Sequence, residues 1–471
     1  MFPKANYLIA TSRLHPGLDG GQTVALLRRA RHFRVVGGAS PVLLSFDFSP
    51  ERPEDLAEFQ RMGLADESTV IRNLYQDARE DPTWLHERSR PLQQPATDAD
   101  DLAAHTDLDS DGVSWRTVWR AASGAAVYTD YLDRRGRPLL RTPYLSRQDW
   151  HHSTEAITVF RDGNPTGQFA GFGTLYRAWL SAVIASGDPA LPTFIISESR
   201  QIGELITQLH SATVKIIHTV HNAHTRPPYR WDSDMDPQWQ SWFEKLADFD
   251  AVVWLTARQQ ADVMRRFGTP TRYTVIPHPV EAAPSPQAPG ERELNRAVMI
   301  ARLAPQKRVD SAIRAFAVVR KTNAQARLDI FGDGPSEQSL AELIVDLGLD
   351  DVVRLRGYQS DAAAELENAA LLVVSSGYEG QSLAITEAFA RGCPVVAFDV
   401  NYGPGEMVAS GRNGVLVPAG DIPALAEAMT RVLGNRAVIE TLSAGALSTA
   451  AQMSVERAMS SWALLFRNLL A

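Results

Sequence analysis

A chain of 471 residues is too long for one ordinary hydrophobic core and suits two or three domains. Apolar residues make up 44% and charged residues 22%, a balance that excludes disorder over most of the length. A formal net charge of −8 excludes a general affinity for nucleic acid or anionic membrane, and the single cysteine, Cys393, excludes an intrachain disulfide or a cysteine zinc cluster and suits a reducing cytosol.

The chain opens on a short apolar run, Tyr7 to Ala10, which Arg13 and His15 follow too soon for a signal peptide. The turn-rich stretch HPGLDGG, residues 15–21, comes next, and then the helical pattern TVALLRRARHF. This is strand, glycine loop, helix. PVLLSF at 41–46 is a second buried-strand candidate. Residues 81–112 are polar and acidic, with Pro82, Pro91, Pro95 and the cluster TDADD, and read as irregular or mobile surface. Residues 113–172 change character again. AAVYTDYLD, PLLRTPYL and AITVFRD are rich in β-branched and aromatic residues, and Asp162-Gly163 predicts a tight hairpin turn. A meander inserted into an α/β domain is the simplest account.

Buried-strand candidates then resume at TFIISES, VKIIHTVH and AVVWLT, and TVIPHPV closes the half. The proline-rich EAAPSPQAPGERE at 281–293 reads as an interdomain linker. Beyond it strands and helices alternate. RAVMIARL, ARLDIFGDG, VVRLRGY, ALLVVSS and PVVAFDV are strand candidates, among and after which lie the helical stretches DSAIRAFAVVRK, SLAELIVDLG, SLAITEAFARG and IPALAEAMTRVL. Alternation of this kind predicts a parallel sheet covered on both faces, with ligands outside the carboxyl ends of its strands. Two such halves predict two Rossmann-like parallel-sheet domains facing a cleft. No run of about 18 uninterrupted apolar residues occurs, so no transmembrane helix is expected.

Four motifs of the second half point to one chemistry. After ALLVVSS the sequence runs Glu379-Gly380-Gln381-Ser382-Leu383 and on to Glu387, with Gly380 and Gln381 where a helix should begin. A helix start offers free N–H groups and partial positive charge to a diphosphate, and glycine lets the ligand approach the backbone. Glu387, about two turns along, could accept hydrogen bonds from ribose hydroxyls, and Glu379 would face the transferring sugar. By themselves the two glutamates also have a purely structural reading, as a charge that favours the helix dipole and a solvated helix residue. Arg302-Leu-Ala-Pro-Gln-Lys307 places two cations on a strand-to-helix loop, where they would neutralise a leaving diphosphate. FGDGPSE at 331–337 supplies a glycine turn that includes Gly332, and Gly357-Tyr358 could seat a base.

Together these motifs resemble the retaining glycosyltransferases of GT-B fold, the glycosyl transferases group 1 family. The resemblance implies an α/β GT-B architecture and a metal-independent hexosyltransferase without a cofactor. Arg302 and Lys307 look like its phosphate clamp, Glu387 like its ribose ligand and Glu379 like its sugar contact. Gly20 and Gly21 resemble its N-terminal glycine loop, and His221 its active-site histidine. His224 is a further candidate for acceptor or sugar contact. His221-Asn-Ala-His224, Leu255-Thr256-Ala-Arg-Gln259, Asp399-Val-Asn-Tyr402-Gly403-Pro404 and the β-rich insertion resemble more closely the bacterial branch of teichoic-acid α-glycosyltransferases and the transferases of serine-rich adhesins.

That branch implies UDP-glucose or UDP-N-acetylglucosamine as donor. It implies a cell-wall polymer such as teichoic acid as acceptor, with a protein serine or threonine, or a non-catalytic GT-B binding partner, as alternatives. It also implies a cytoplasmic protein at or near the inner face of the membrane and a homo-oligomer through the insertion. The corresponding domains are 1–64 with 166–282 and the terminal helix 455–471, the insertion 65–165, and the nucleotide-sugar-binding domain 283–454. Two rival motifs fail on context. Asp232-Ser-Asp234 follows no apolar strand, and Asp107-Leu-Asp109-Ser-Asp111-Gly112 has Val118 where a calcium loop needs glutamate. No metal site is expected. Gly37-Gly38 lacks dinucleotide spacing.

Overall fold

A computed structural model describes residues 1–16, 20–48, 53–93, 101–109, 111–144, 152–282 and 292–471. They divide into two compact units, Phe2–Thr219 with Ser241–Ala251, and Val220–Gln240 with Val252–Ala471. Of the expected glycine loop, residues 17–19 lie outside the described residues, as do 283–291 of the expected linker. No helix among the described residues is long and apolar enough to cross a membrane.

The first unit contains parallel strands in the spatial order Val214–Val220, Thr193–Ser197, Asn6–Thr11, Val42–Ser45, Val70–Asn73. Register follows the apolar pattern, with Leu8 opposite Val42 and Ile195 opposite Ile216. The helices Gly21–Val35 and Phe172–Ala185 belong to this unit, and Trp179 and Tyr176 are fully buried.

A separate sheet of six antiparallel strands follows chain order from Ala103–Leu108 through Ser114–Arg120, Ala126–Leu132, Pro138–Pro143 and Ala156–Arg161 to Asn164–Ala170. This is the expected inserted meander. Asp162 and Gly163 both take positive φ, 54° and 81°, the conformation a two-residue hairpin turn demands. The meander reaches further back than expected. Within 81–112, which reads as irregular, Thr83–Arg88 is a helix and Ala103–Leu108 a strand, while residues 94–100 lie outside the described residues. That strand is almost wholly exposed, so no apolar alternation marks it, and pairing with Ser114–Arg120 defines it.

The second unit is built on six parallel strands, ordered Val353–Leu355, Arg327–Phe331, Glu293–Ile300, Ala369–Val374, Val395–Asp399, Gly414–Pro418. Both faces are covered. On one, Ile313, Phe316, Leu340, Leu425 and Met429 pack against Met299, Ile330 and Val373. On the other, Ile385, Phe389 and Leu366 pack against Val298, Leu372 and Val395. Two-sided burial explains why these strands read as continuous apolar runs. The edge strand Gly414–Pro418 and the helix Arg436–Gln452 have no counterpart in the sequence reading.

Candidate functional site

The loop after Glu293–Ile300 is laced to the loop after Arg327–Phe331. Ala301 N donates to Phe331 O at 3.0 Å, Leu303 N to Asp333 O at 2.6 Å, and Ser336 N to Leu303 O at 2.8 Å. A Cβ at Gly332 would clash with the Ala301 carbonyl, so glycine is what lets the two backbones touch. Gly332 N also donates to Gly357 O at 2.8 Å, and next to Gly357 the Tyr358 side chain is 51% exposed.

Lys307 closes a short 3₁₀ turn, Pro305–Lys307. Its ammonium donates to Glu379 Oε1 at 2.6 Å, and the same oxygen accepts the Ser376 hydroxyl at 2.6 Å. Glu379 is buried, so the ion pair and the hydroxyl offset the desolvation of its carboxylate. The backbone fixes both partners. Gly377 N donates to Gln306 O at 2.8 Å, Gln306 Nε2 donates to Tyr378 O at 3.0 Å, and the Ser375 hydroxyl donates to the Arg308 carbonyl at 2.9 Å. Glu379 N donates to Asn401 O at 3.2 Å, and Tyr402 N donates to Glu379 O at 2.8 Å. Arg302, on the same loop as Lys307, is exposed, and among the described residues its guanidinium makes no ion pair or hydrogen bond.

A second cluster adjoins the first. A Cβ at Gly380 would clash with the His221 carbonyl and stand 3.0 Å from Asn222 N, so the glycine seats directly on the His221–Asn222 backbone. The His221 ring stacks on His278 with centroids 5.6 Å apart. Gln381 spans the His278 backbone, accepting from its N–H at 2.7 Å and donating to its carbonyl at 3.2 Å. Both ends of the Gln381 amide are therefore engaged within the protein. The helix Leu383–Ala390 starts immediately after, with Ser382 at its N-cap and no side-chain cap bond. Its first N–H groups and dipole favour an anion there. Glu387 lies on this helix, half-buried.

His224 is buried, its ring nearly parallel to that of Tyr402 at 6.2 Å, with Nδ1 3.4 Å from Gln259 Nε2. Burial, with the Arg266 charge adding to it, pushes its pKa down to about 4. Its ring is therefore neutral at pH 7. Gly20 and Gly21 stand at the start of the helix Gly21–Val35 in the other unit. The other candidate site residues belong to the second unit. Asp232 pairs with Arg230 at 3.2 Å, and the Asp234 carbonyl accepts Arg226 N. The sequence reading did not single out Ser376 or Gln306, and it quoted Gln259, whose amide donates to Asn222 O at 2.8 Å, within a longer motif without that bond. Their partners lie 3, 72 and 37 residues away, and only the Ser376 pairing was within local reach.

These loops sit in a stretch with known kin. Residues 285–447 match the family model described as Glycosyl transferases group 1, and this part of the chain is a domain of that family. Arg302, Lys307, Glu379 and Glu387 all fall inside it. An exopolysaccharide phosphotransferase of Streptomyces coelicolor is 35% identical over 224 residues, 47% of this chain and 24% of that protein. A poly(glycerol-phosphate) alpha-glucosyltransferase of Bacillus subtilis is 30% identical over 231 residues, 48% of this chain and 34% of that protein. The matched part is thus well under half the length of either relative. Among solved structures, S. aureus TarM in complex with fondaparinux, alpha-GlcNAc-glycerol and UDP is similar with a TM-score of 0.81 and 18% identity, covering 98% of this chain and 100% of that one. The fold is accordingly GT-B, α/β with two parallel sheets and an antiparallel sheet in the N-terminal half.

Proposed function

We propose that the chain is a retaining, metal-independent hexosyltransferase that moves glucose or N-acetylglucosamine from a UDP-sugar to a hydroxyl of a polyol-phosphate polymer of the teichoic-acid kind. The observation that carries this reading is the Lys307 ammonium, 2.6 Å from Glu379 and on one loop with the exposed Arg302 guanidinium, at the carboxyl ends of a parallel sheet. The group 1 domain supports the reaction class. The names of the Bacillus subtilis relative and of the TarM complex support the donor and acceptor class.

In the proposed reaction the bond from the sugar's anomeric carbon to the diphosphate breaks, and negative charge grows on the departing phosphate. Arg302, Lys307 and the start of Leu383–Ala390 stabilise that charge, a preorganised electrostatic effect that needs no metal. The acceptor oxygen bonds the anomeric carbon on the face the phosphate leaves, and its proton passes to a departing phosphate oxygen. Configuration is retained without an enzymic nucleophile. Glu379 and His221 orient the sugar, and Glu387 receives ribose hydroxyls. Purified protein should release UDP from UDP-glucose or UDP-N-acetylglucosamine in EDTA when given a glycerol- or ribitol-phosphate polymer, and proton NMR should show an α-linked product. UDP release confined to metal-supplemented buffer removes the metal-free mechanism. No release with either donor overturns the reading.

A further inference from the structure

The turn Arg226–Tyr229 lies outside every role assigned so far. It is the head of a loop closed on itself: Thr225 bridges Met235, Arg226 N donates to Asp234 O at 2.7 Å, and Tyr229 N donates to Arg226 O at 2.8 Å. Tyr229 has a φ of 59°, a region that side-chain-bearing residues rarely adopt and that tends to persist where surrounding structure imposes it, often at ligand sites. The Asn401 amide donates to the Tyr229 carbonyl at 2.7 Å. Asn401 is the residue whose own carbonyl holds Glu379 N.

Tyr229 delivers its ring to Tyr378, with centroids 4.6 Å apart and planes at 34°. Tyr378 directly precedes Glu379. Both rings are half-buried, so the pair leaves aromatic surface open beside the Lys307–Glu379 ion pair. Burial, and after it charges that include Asp236, hold both phenols above their ordinary range, so each remains a hydrogen-bond donor. Arg226, three residues before Tyr229, is exposed, and among the described residues its guanidinium makes no ion pair or hydrogen bond. The next cation, Arg230, is held by Asp232.

We propose that Tyr229 and Tyr378 form the wall on which the acceptor's carbon chain lies, and that Arg226 binds a phosphodiester of that chain. This rests on the hexosyltransferase reading and names how its acceptor is recognised. An aromatic wall takes a polyol through its C–H edges while phenol hydroxyls meet its hydroxyls. A guanidinium takes a phosphodiester in the bidentate geometry that a neutral polyol cannot match. The acceptor class is therefore polyol units joined by phosphate, in preference to a neutral glycan.

The test is acceptor kinetics with a synthetic glycerol-phosphate oligomer and with free glycerol. Tyr229→Ala should raise the oligomer KM roughly tenfold, with the donor KM moving far less. Tyr229→Phe keeps the ring and should restore the oligomer KM to within about threefold of the parent. Arg226→Gln should raise the oligomer KM, flatten its dependence on salt and leave the KM for glycerol in place. If the parent transfers sugar and all three variants keep its oligomer KM, or lose kcat alone, the wall is overturned and the transferase reading stands. If the parent transfers to no acceptor, the reading beneath falls and this assignment with it.

Discussion

Every residue of the strand Ala369–Val374 is buried, whereas Ala103–Leu108 exposes all but the half-buried Asp107. The first strand runs inside a sheet covered on both faces, and the second forms the edge of the antiparallel meander. Charge is placed accordingly. In the meander it lies across the strands, as in Arg141 with Asp130 and Arg116 with Asp107. In the parallel sheet, interior strands leave little room for charge. Asp329, bonded by Arg296 at 2.9 Å and Arg356 at 2.8 Å, is a buried exception. The other cations considered above, Arg302 and Lys307, stand on loops beyond the strand ends. A charge removed from the meander should therefore read out as stability, and one removed from those loops as activity.

The sharpest break between the two comes from Lys307→Ala. It should lower kcat about a thousandfold in a UDP-release assay. Some stability should go with it, about 1–3 kcal/mol, because buried Glu379 keeps the Ser376 hydroxyl but loses its cation, so turnover is compared per folded molecule. Near-parental turnover would remove the ammonium from the reaction. Arg141→Ala is the counterpart in the meander. Among the described residues it leaves buried Asp130 with the Trp119 indole N–H, at 2.9 Å, as its one side-chain donor, and should destabilise the protein by about 3 kcal/mol in urea titrations. UDP release per folded molecule should stay at the parental level, and a kinetic defect without a stability loss would erase the contrast.

His224 sharpens the comparison through pH. Its folded pKa of about 4 lies below the unfolded value of about 6.5, so the unfolded chain binds the extra proton between them. Its contribution is complete above about pH 6.5 and is lost as the pH falls toward 4, by about 3 kcal/mol. His224→Phe keeps a ring beside Tyr402 and should remove that much of the acid loss, which denaturation at pH 7 and pH 4 would show. The smallest effect is expected at Arg116, whose guanidinium pairs with partly exposed Asp107 and lies 4.6 Å above the Trp115 ring. Arg116→Ala should cost about 1 kcal/mol or less, and a larger loss would mean that the meander's surface charges act as a network.

What could be read in the sequence divides along the same line. Runs such as ALLVVSS and PVVAFDV announce buried parallel strands because both faces select apolar residues. Gly332 read as part of a turn and Gly380 as room for a ligand, and their seats on the carbonyls of Ala301 and His221 were not legible, since those come from distant segments. Lys307 and Glu379 were each legible as candidates, yet their pairing was not, since 72 residues separate them. Gln381 read as a donor contact at the helix start, and the bonds of its side-chain amide to the His278 backbone were not legible. The helix Arg436–Gln452 escaped because its alanine, serine and threonine residues give little apolar contrast. Gly414–Pro418 escaped as a five-residue run at a sheet edge.

The Lys307–Glu379 ion pair has a consequence for the end of a catalytic cycle. Because a carboxylate already holds the ammonium, a diphosphate arriving as the proposed reaction requires would share that cation. Once the sugar had gone, the same carboxylate would compete with UDP for the ammonium and weaken the grip on the spent nucleotide. Under the proposed reaction, Glu379 is thus a resident competitor that speeds product departure and keeps the site from being trapped by its own by-product.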